Sequence, residues 1–337
     1  MSNGQQPSLD LFWRTVSGFQ YSAALKAAVE LDLFTAIDNG NDTAEAAAST
    51  ANADPRGVRI VLDALTVLGF MTKDGDRYHL TADSAAFLSH NSRMYVASAV
   101  EFLLSPLHRL GFDDFTNAVK QGGSTVKGEG SLDPESPMWV TFARAMMPLM
   151  YLPAEMIAEH IDFDTQKSLK VLDIAAGHGI FGIKVAQRFP NSEVYALDWQ
   201  NVLTVATENA EEFGVADRHH LITGNAFDVE FGGGYDVVLL TNFLHHFDVE
   251  TCEKLLRKIV ASMSSDGKLM TLEFVPNDDR ISPPPAALFS LIMLAGTPAG
   301  DAYTYRELRQ MIENSGLHHN QIIPLEPTPE SLIISSK

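Results

Sequence analysis

The chain is poor in cysteine, in positive charge and in long apolar runs. Its single cysteine, Cys252, excludes an internal disulfide and suits a reducing compartment. Lys and Arg number 24 against 43 acids, a net charge of −19 that opposes general affinity for nucleic acid or an anionic membrane. Gly, Pro, Ser or charge interrupts every apolar stretch before the ~20 residues that a membrane span needs. Residues 1–7 carry neither a basic region nor an apolar run, so no signal peptide is expected and the expected location is cytoplasmic.

What is present is an ordinary globular composition, 45% hydrophobic and 20% charged, in 337 residues. That length exceeds one simple core. Three segments are expected: a winged-helix-like dimerisation domain over 1–95, a helical connector over 96–165 that contributes to a substrate pocket, and a ligand-binding α/β domain over 166–337.

In the first segment, apolar residues recur at helical spacing from Leu9 to Ile37. Asp42 and Glu45 have the spacing of a capping box, and Asp54-Pro55 places a cap and an N1 proline before a second amphipathic run. Two short extended runs around Asp74-Gly75 then predict a hairpin. Helices followed by a hairpin suggest a winged helix, but residues 1–95 hold seven basic against eleven acidic side chains. A DNA reader needs a basic face; partner-chain packing fits better. Residues 96–122 read as helical, 122–137 as a polar loop, and 138–161 as a methionine-rich helix, either core filler or a pliable ligand wall.

From Leu169 strands and helices alternate, the pattern of a parallel sheet with helices on both faces. Strands are expected at 169–174, 193–198, 219–223, 235–241, 267–274, 317–325 and 331–335. Only Glu326–Glu330 joins the last two, so the final strand must be antiparallel. Ligands of such doubly wound sheets sit beyond the carboxyl ends of the strands. The first strand ends in Asp173 and a small-residue turn, Gly177-His178-Gly179, that opens a helix. There the backbone comes close to a ligand and a helix N-terminus faces it. His178 reads as a spacer lying near that ligand. The second strand ends in Asp198-Trp199, a carboxylate placed to take ribose hydroxyls. The third leads to Asn225-Ala226-Phe227, the fourth to Asn242-Phe-Leu-His-His-Phe247, and the fifth ends in Glu273.

With these residues the chain resembles the class I S-adenosylmethionine-dependent methyltransferases. With its front half it resembles the two-domain small-molecule O-methyltransferases of plants and of bacterial natural-product pathways, over residues 10–337. The resemblance implies a Rossmann-like sheet with an antiparallel last strand, a homodimer formed through the N-terminal domain, and S-adenosylmethionine as cofactor with S-adenosylhomocysteine as product. It implies that Asp173, Gly177, Gly179, Asp198, Trp199, Asn225, Ala226, Phe227 and Asn242 surround the cofactor. Phe142, Met146, Met150, His246, Phe289 and Met293 would contact a small, largely apolar acceptor. His245 would be the general base and Glu273 its orienting acid. A second His follows His245 where plant enzymes have an acid, so the base is His245 or His246. A further orienting acid before the last helix has Asp301 as its nearest match. No metal is expected. Alternatives are the same fold methylating carbon, nitrogen or sulfur, the same fold catalysing a non-methylating reaction, and a winged-helix regulator.

Overall fold

The computed structural model describes residues 7–126 and 136–337. Most of the polar loop expected over 122–137 therefore lies outside the described residues. The chain divides into two compact units, residues 1–105 and 106–337.

The first unit is mostly helical: α1 (Asp10–Val16), α2 (Gly18–Glu30), α3 (Leu33–Asp38), α4 (Ala44–Thr50) and α5 (Pro55–Val67), the hairpin β1 (Met71–Asp74) and β2 (Arg77–Leu80), then α6 (Ala82–Phe87) and α7 (Ala99–Leu103). The apolar run from Leu9 to Ile37 is three helices, broken at Ser17 and at Asp32, whose φ of 51° is left-handed. Asp54 caps α5 by accepting from Gly57 N (3.1 Å). The start of α4 falls one residue later than the Asp42–Glu45 spacing predicts. Thr43 Oγ1 accepts from Ala46 N (3.2 Å), while Arg77 engages Asp42 at 2.7 Å and holds its carboxyl below the usual range. Leu33, Phe34, Leu62, Leu65, Met71 and Tyr78 form the unit's core. Helix α1 buries none of its residues, and Leu9, Leu11, Phe12, Trp13, Val16 and Phe19 all stand exposed.

The second unit opens with α8 (Pro106–Asp113), α9 (Phe115–Gln121) and α10 (Pro137–Glu159). Then β3 (Lys170–Ile174), α11 (Ile180–Arg188), β4 (Glu193–Asp198), α12 (Gln200–Glu212), β5 (His219–Thr223), β6 (Tyr235–Thr241), α13 (Val249–Ser262), β7 (Met263–Glu273), α14 (Pro284–Gly296), α15 (Tyr305–Asn314), β8 (His319–Pro324) and β9 (Ser331–Ser336) complete it. The sheet order is β5-β4-β3-β6-β7-β9-β8. β9 is antiparallel to both its neighbours, as its short link to β8 requires, and it inserts between β7 and β8, leaving β8 at the edge.

The period-2 alternation of a strand splits the core into two layers. Val171, Val237, Leu239, Met270 and Leu272 meet α10 and α11 on one face, whereas Leu172, Ile174, Val238, Leu240 and Leu269 meet α13 and α15 on the other. Both faces of the central strands are buried, and Val171, Leu172, Ile174 and Val237 to Leu240 are apolar on both sides of the sheet. The strand order reverses between β3 and β6, and the polar residues at the carboxyl ends of β3, β4 and β6 converge there.

Candidate active site

A cavity of about 330 Å³ lies at that switch point. Its walls include Ala175, Ala176, Gly177 and His178 from the turn after β3, Asp198 and Trp199 after β4, Asn225, Ala226 and Phe227 after β5, and Thr241, Asn242, Phe243, His246 and Phe247 after β6. Trp139, Phe142 and Met150 of α10 close one side. The turn is sharply bent: Ala175, Gly177 and Gly179 all have positive φ (53°, 58° and 74°). Gly177 N donates to Asp198 Oδ2 (2.8 Å) and Trp199 N to Asp198 Oδ1 (2.7 Å), so two backbone donors aim this carboxylate. Burial pushes its pKa up to about 6.

Two residues expected beside the ligand are not among those lining the cavity. Asp173 is buried beneath the turn, where Oδ2 accepts from Gly182 N (3.0 Å), and desolvation lifts its carboxyl to about 7. Gly179 faces α12, and a Cβ there would come within 3.0 Å of the Ala206 Cβ. The glycine is needed for helix packing and a left-handed φ rather than for access to the cavity.

The histidine pair sits on a single 3-10 turn, Leu244–His246, with the two ring centroids 4.4 Å apart and tilted by 50°. His246 lines the cavity, with its ring edge-on to Trp139 at 5.7 Å. Burial, and then the neighbouring His245, drive its pKa well below the usual value. His245 lies outside the cavity lining, buried against the ring of Phe289 at 4.8 Å. Its Nδ1 meets Glu273 Oε2 at 2.5 Å, while Glu273 Oε1 accepts from the backbone N–H of Phe243 (3.1 Å) and Leu244 (2.8 Å). Phe289 in turn stacks on Phe274 at 4.0 Å. Thus Phe142, Met150 and His246 line the cavity, whereas Phe289 gathers around His245. Met293 is buried on α14, and Met146 on α10 is half-buried outside the lining. Among the methionines of α10, Met150 both lines the cavity and belongs to the core, and Met147 and Met156 pack against that core.

Asp301 does not reach the histidines. It accepts from Ser290 Oγ (2.7 Å) and from Arg280 (3.1 Å). What meets the His turn from that loop is Gly300, where a Cβ would fall 2.2 Å from the His245 carbonyl oxygen. Trp139, Phe243 and Phe247 also line the cavity, beyond the residues that the resemblance singles out. Trp139 stands one helical turn before Phe142, and the two phenylalanines flank the histidine pair, so i,i+3 spacing and motif adjacency were the available signals.

A doubly wound sheet with an inserted antiparallel strand, a glycine turn, and a strand-end carboxylate over a cavity define an adenosyl-cofactor-binding methyltransferase of the Rossmann-like class. Residues 122–318 match the O-methyltransferase domain, and residues 13–90 match the O-methyltransferase dimerisation domain. The chain belongs to the S-adenosylmethionine-dependent O-methyltransferase family. It is 26% identical to 3-hydroxy-5-methyl-1-naphthoate 3-O-methyltransferase of Streptomyces sahachiroi, over 89% of this chain and 87% of that one. It is 27% identical to the L-tyrosine C(3)-methyltransferase of Streptomyces lavendulae, over 95% and 90%. A solved structure of a candidate O-methyltransferase from Nostoc punctiforme is 51% identical, with a TM-score of 0.95 over 98% of this chain and 100% of that one. Among the described residues no helix is long and apolar enough to cross a membrane.

Proposed function

We propose that the enzyme methylates a hydroxyl of a small, largely apolar aromatic acceptor, with His245 as general base. The observation that carries this reading is the bond from His245 Nδ1 to Glu273 Oε2, with the carboxylate's other oxygen pinned by two backbone amides. A carboxylate on Nδ1 keeps the proton there, leaves Nε2 as the acceptor, and stabilises the imidazolium formed on protonation. His246 lacks such a partner, and its buried Nδ1 has none among the described residues. A phenol of pKa ~10 passes its proton to an imidazole far more readily than an aliphatic alcohol does. The Phe289 and Phe274 rings beside His245 supply flat apolar surface for an aromatic ring.

The cavity suits S-adenosylmethionine. Asp198 presents an acceptor at one end, Phe227 and Trp199 offer aromatic surface, and the buried Asn242 Oδ1 has no partner among the described residues. Asp198 would take the ribose hydroxyls, Asn225, Ala226 and Phe227 would border the adenine, and the turn at Gly177 would receive the methionine end. Asp173 and Gly179 would shape that turn from behind. Phe142, Met146 and Met150 would wall the reactive end, with Phe289 and Met293 on the acceptor side. When bound, the cofactor supplies a sulfonium-activated methyl group. The protein's part is then to position the acceptor, exclude water and remove the proton. Residues 13–90, with the exposed apolar side of α1, would form the homodimer interface, and the helices between the two domains would contribute α10 to the pocket.

Incubation with S-adenosylmethionine and a panel of naphthols and phenols tests the reading. S-adenosylhomocysteine should accumulate together with a product whose new methyl carries the chemical shift of an aryl ether. A methyl on ring carbon would refute O-transfer.

Asp198 must be ionised to accept from two hydroxyls, and its free-state pKa is raised to about 6. S-adenosylhomocysteine affinity should therefore be flat above that pH and fall by about tenfold for each unit below it. Calorimetric titration between pH 5 and 8 checks this, and Asp198→Asn should abolish the slope. At Gly300, alanine would drive a methyl into the His245 carbonyl, so Gly300→Ala should lower turnover while costing about 1–3 kcal/mol of stability. Thermal melts and steady-state kinetics read the two effects.

A further inference from the structure

We infer that His178 is a cofactor-binding residue whose Nε2–H donates to the carboxylate at the amino-acid end of the adenosyl ligand. This rests on the adenosyl-cofactor reading of the cavity and adds a residue to it.

His178 is 3% exposed and lines the cavity. Ile180 N donates to its Nδ1 at 3.3 Å, so that nitrogen is an acceptor and the neutral ring carries its proton on Nε2. Its own carbonyl accepts from Asn209 Nδ2 at 2.8 Å, which anchors the residue to α12. Burial pushes the imidazole down to about 3, so the ring stays neutral and keeps this tautomer at working pH. No described residue bonds Nε2, although the other nitrogen and the carbonyl are both engaged. This donor therefore opens onto the cavity, where a ligand can take it.

The chemistry of the occupant follows from the polarity of the turn. Gly177 N and Trp199 N hold the Asp198 carboxylate on one side, a pure acceptor that calls for hydroxyl donors. On the other side, His178 offers a donor just ahead of α11, whose positive N-terminal end favours an anion. A ligand with hydroxyls at one end and a carboxylate at the other matches both, and an adenosyl amino acid has that layout. A neutral donor also avoids placing a second cation beside a sulfonium.

The test is calorimetric titration of the full-length protein with S-adenosylhomocysteine and with 5′-methylthioadenosine, which lacks the amino-acid end. His178→Phe removes the donor, and His178→Gln retains an N–H of similar reach. His178→Phe should weaken S-adenosylhomocysteine about 10- to 100-fold, as expected for a lost charge-assisted bond, and leave methylthioadenosine within about threefold. His178→Gln should recover most of the loss. Equal weakening of both ligands by His178→Phe would show that the residue only shapes the turn, and would overturn the assignment. In the unaltered protein, the Nε2–H proton resonance of His178 should move downfield with S-adenosylhomocysteine and not with methylthioadenosine; no difference between the ligands would also overturn it. Failure of the unaltered protein to bind either ligand would instead refute the cofactor reading, and this assignment with it.

Discussion

Replacing His245 with alanine should lower turnover on a phenolic acceptor by about two to four orders of magnitude. S-adenosylhomocysteine affinity should stay within about threefold, because a group acting only on the acceptor proton leaves ground-state cofactor binding alone. The structure separates these two quantities. His245 lies outside the lining of the cavity and faces Glu273 and Phe289, whereas its neighbour His246 lines the cavity. His246→Ala should show the opposite balance, with weakened ligand binding and a smaller loss of turnover. If His245→Ala retained full turnover while His246→Ala lost it, the base assignment would be reversed.

The second large effect is expected at Glu273. In Glu273→Gln the amide oxygen stays with the two backbone donors, Phe243 N and Leu244 N, which would repel an amide NH₂. The NH₂ then faces His245 Nδ1 and donates to it, so the imidazole must carry its own proton on Nε2, the atom that should accept. The fold should survive, because glutamine has the shape of glutamate and keeps the bonds from Phe243 N and Leu244 N. Turnover should fall by about three to four orders of magnitude, as when the orienting carboxylate of a His–Asp pair becomes an amide. Nitrogen NMR of the His245 ring would show the tautomer exchanged. A variant turning over within tenfold of the parent would mean that Glu273 serves the loop rather than the base.

The remaining charge near the site is structural. Arg280, in the loop after β7, joins Asp301, in the loop before α15, and Glu307, in the first turn of α15. Glu307 also completes the capping box of α15 with Thr304. The acid that would have buttressed the base from this loop is thus committed to an ion pair and a serine. Close backbone packing at Gly300 meets the His turn in its place. Nothing in the run Gly300-Asp-Ala-Tyr-Thr304 distinguishes these outcomes, since they depend on where Arg280 arrives from 20 residues upstream.

Much of the architecture was legible in the order of residues alone. The strand–helix alternation from Leu169 requires a parallel sheet, the five-residue link Glu326–Glu330 requires an antiparallel final strand, and strand-end acids mark the ligand side. These are local signals, because a period of two or 3.6 residues and a tight turn are properties of neighbours along the chain. Position in space is a different matter. The insertion of β9 between β7 and β8, the placing of Asp173 and Gly179 outside the cavity lining, the shift of the α4 cap from Asp42 to Thr43, and the different neighbours of His245 and His246 all depend on which distant groups compete for the same space and the same hydrogen bonds. Asp42 gave up its cap to Arg77, 35 residues on, and His245 took its tautomer from Glu273, 28 residues on. The sequence by itself determined the elements, the ligand-binding edge and the residue types of the site. Tertiary packing alone decided which of those residues face the cavity and which hold the others in place, because burial leaves each polar group only the partners that the fold brings within reach.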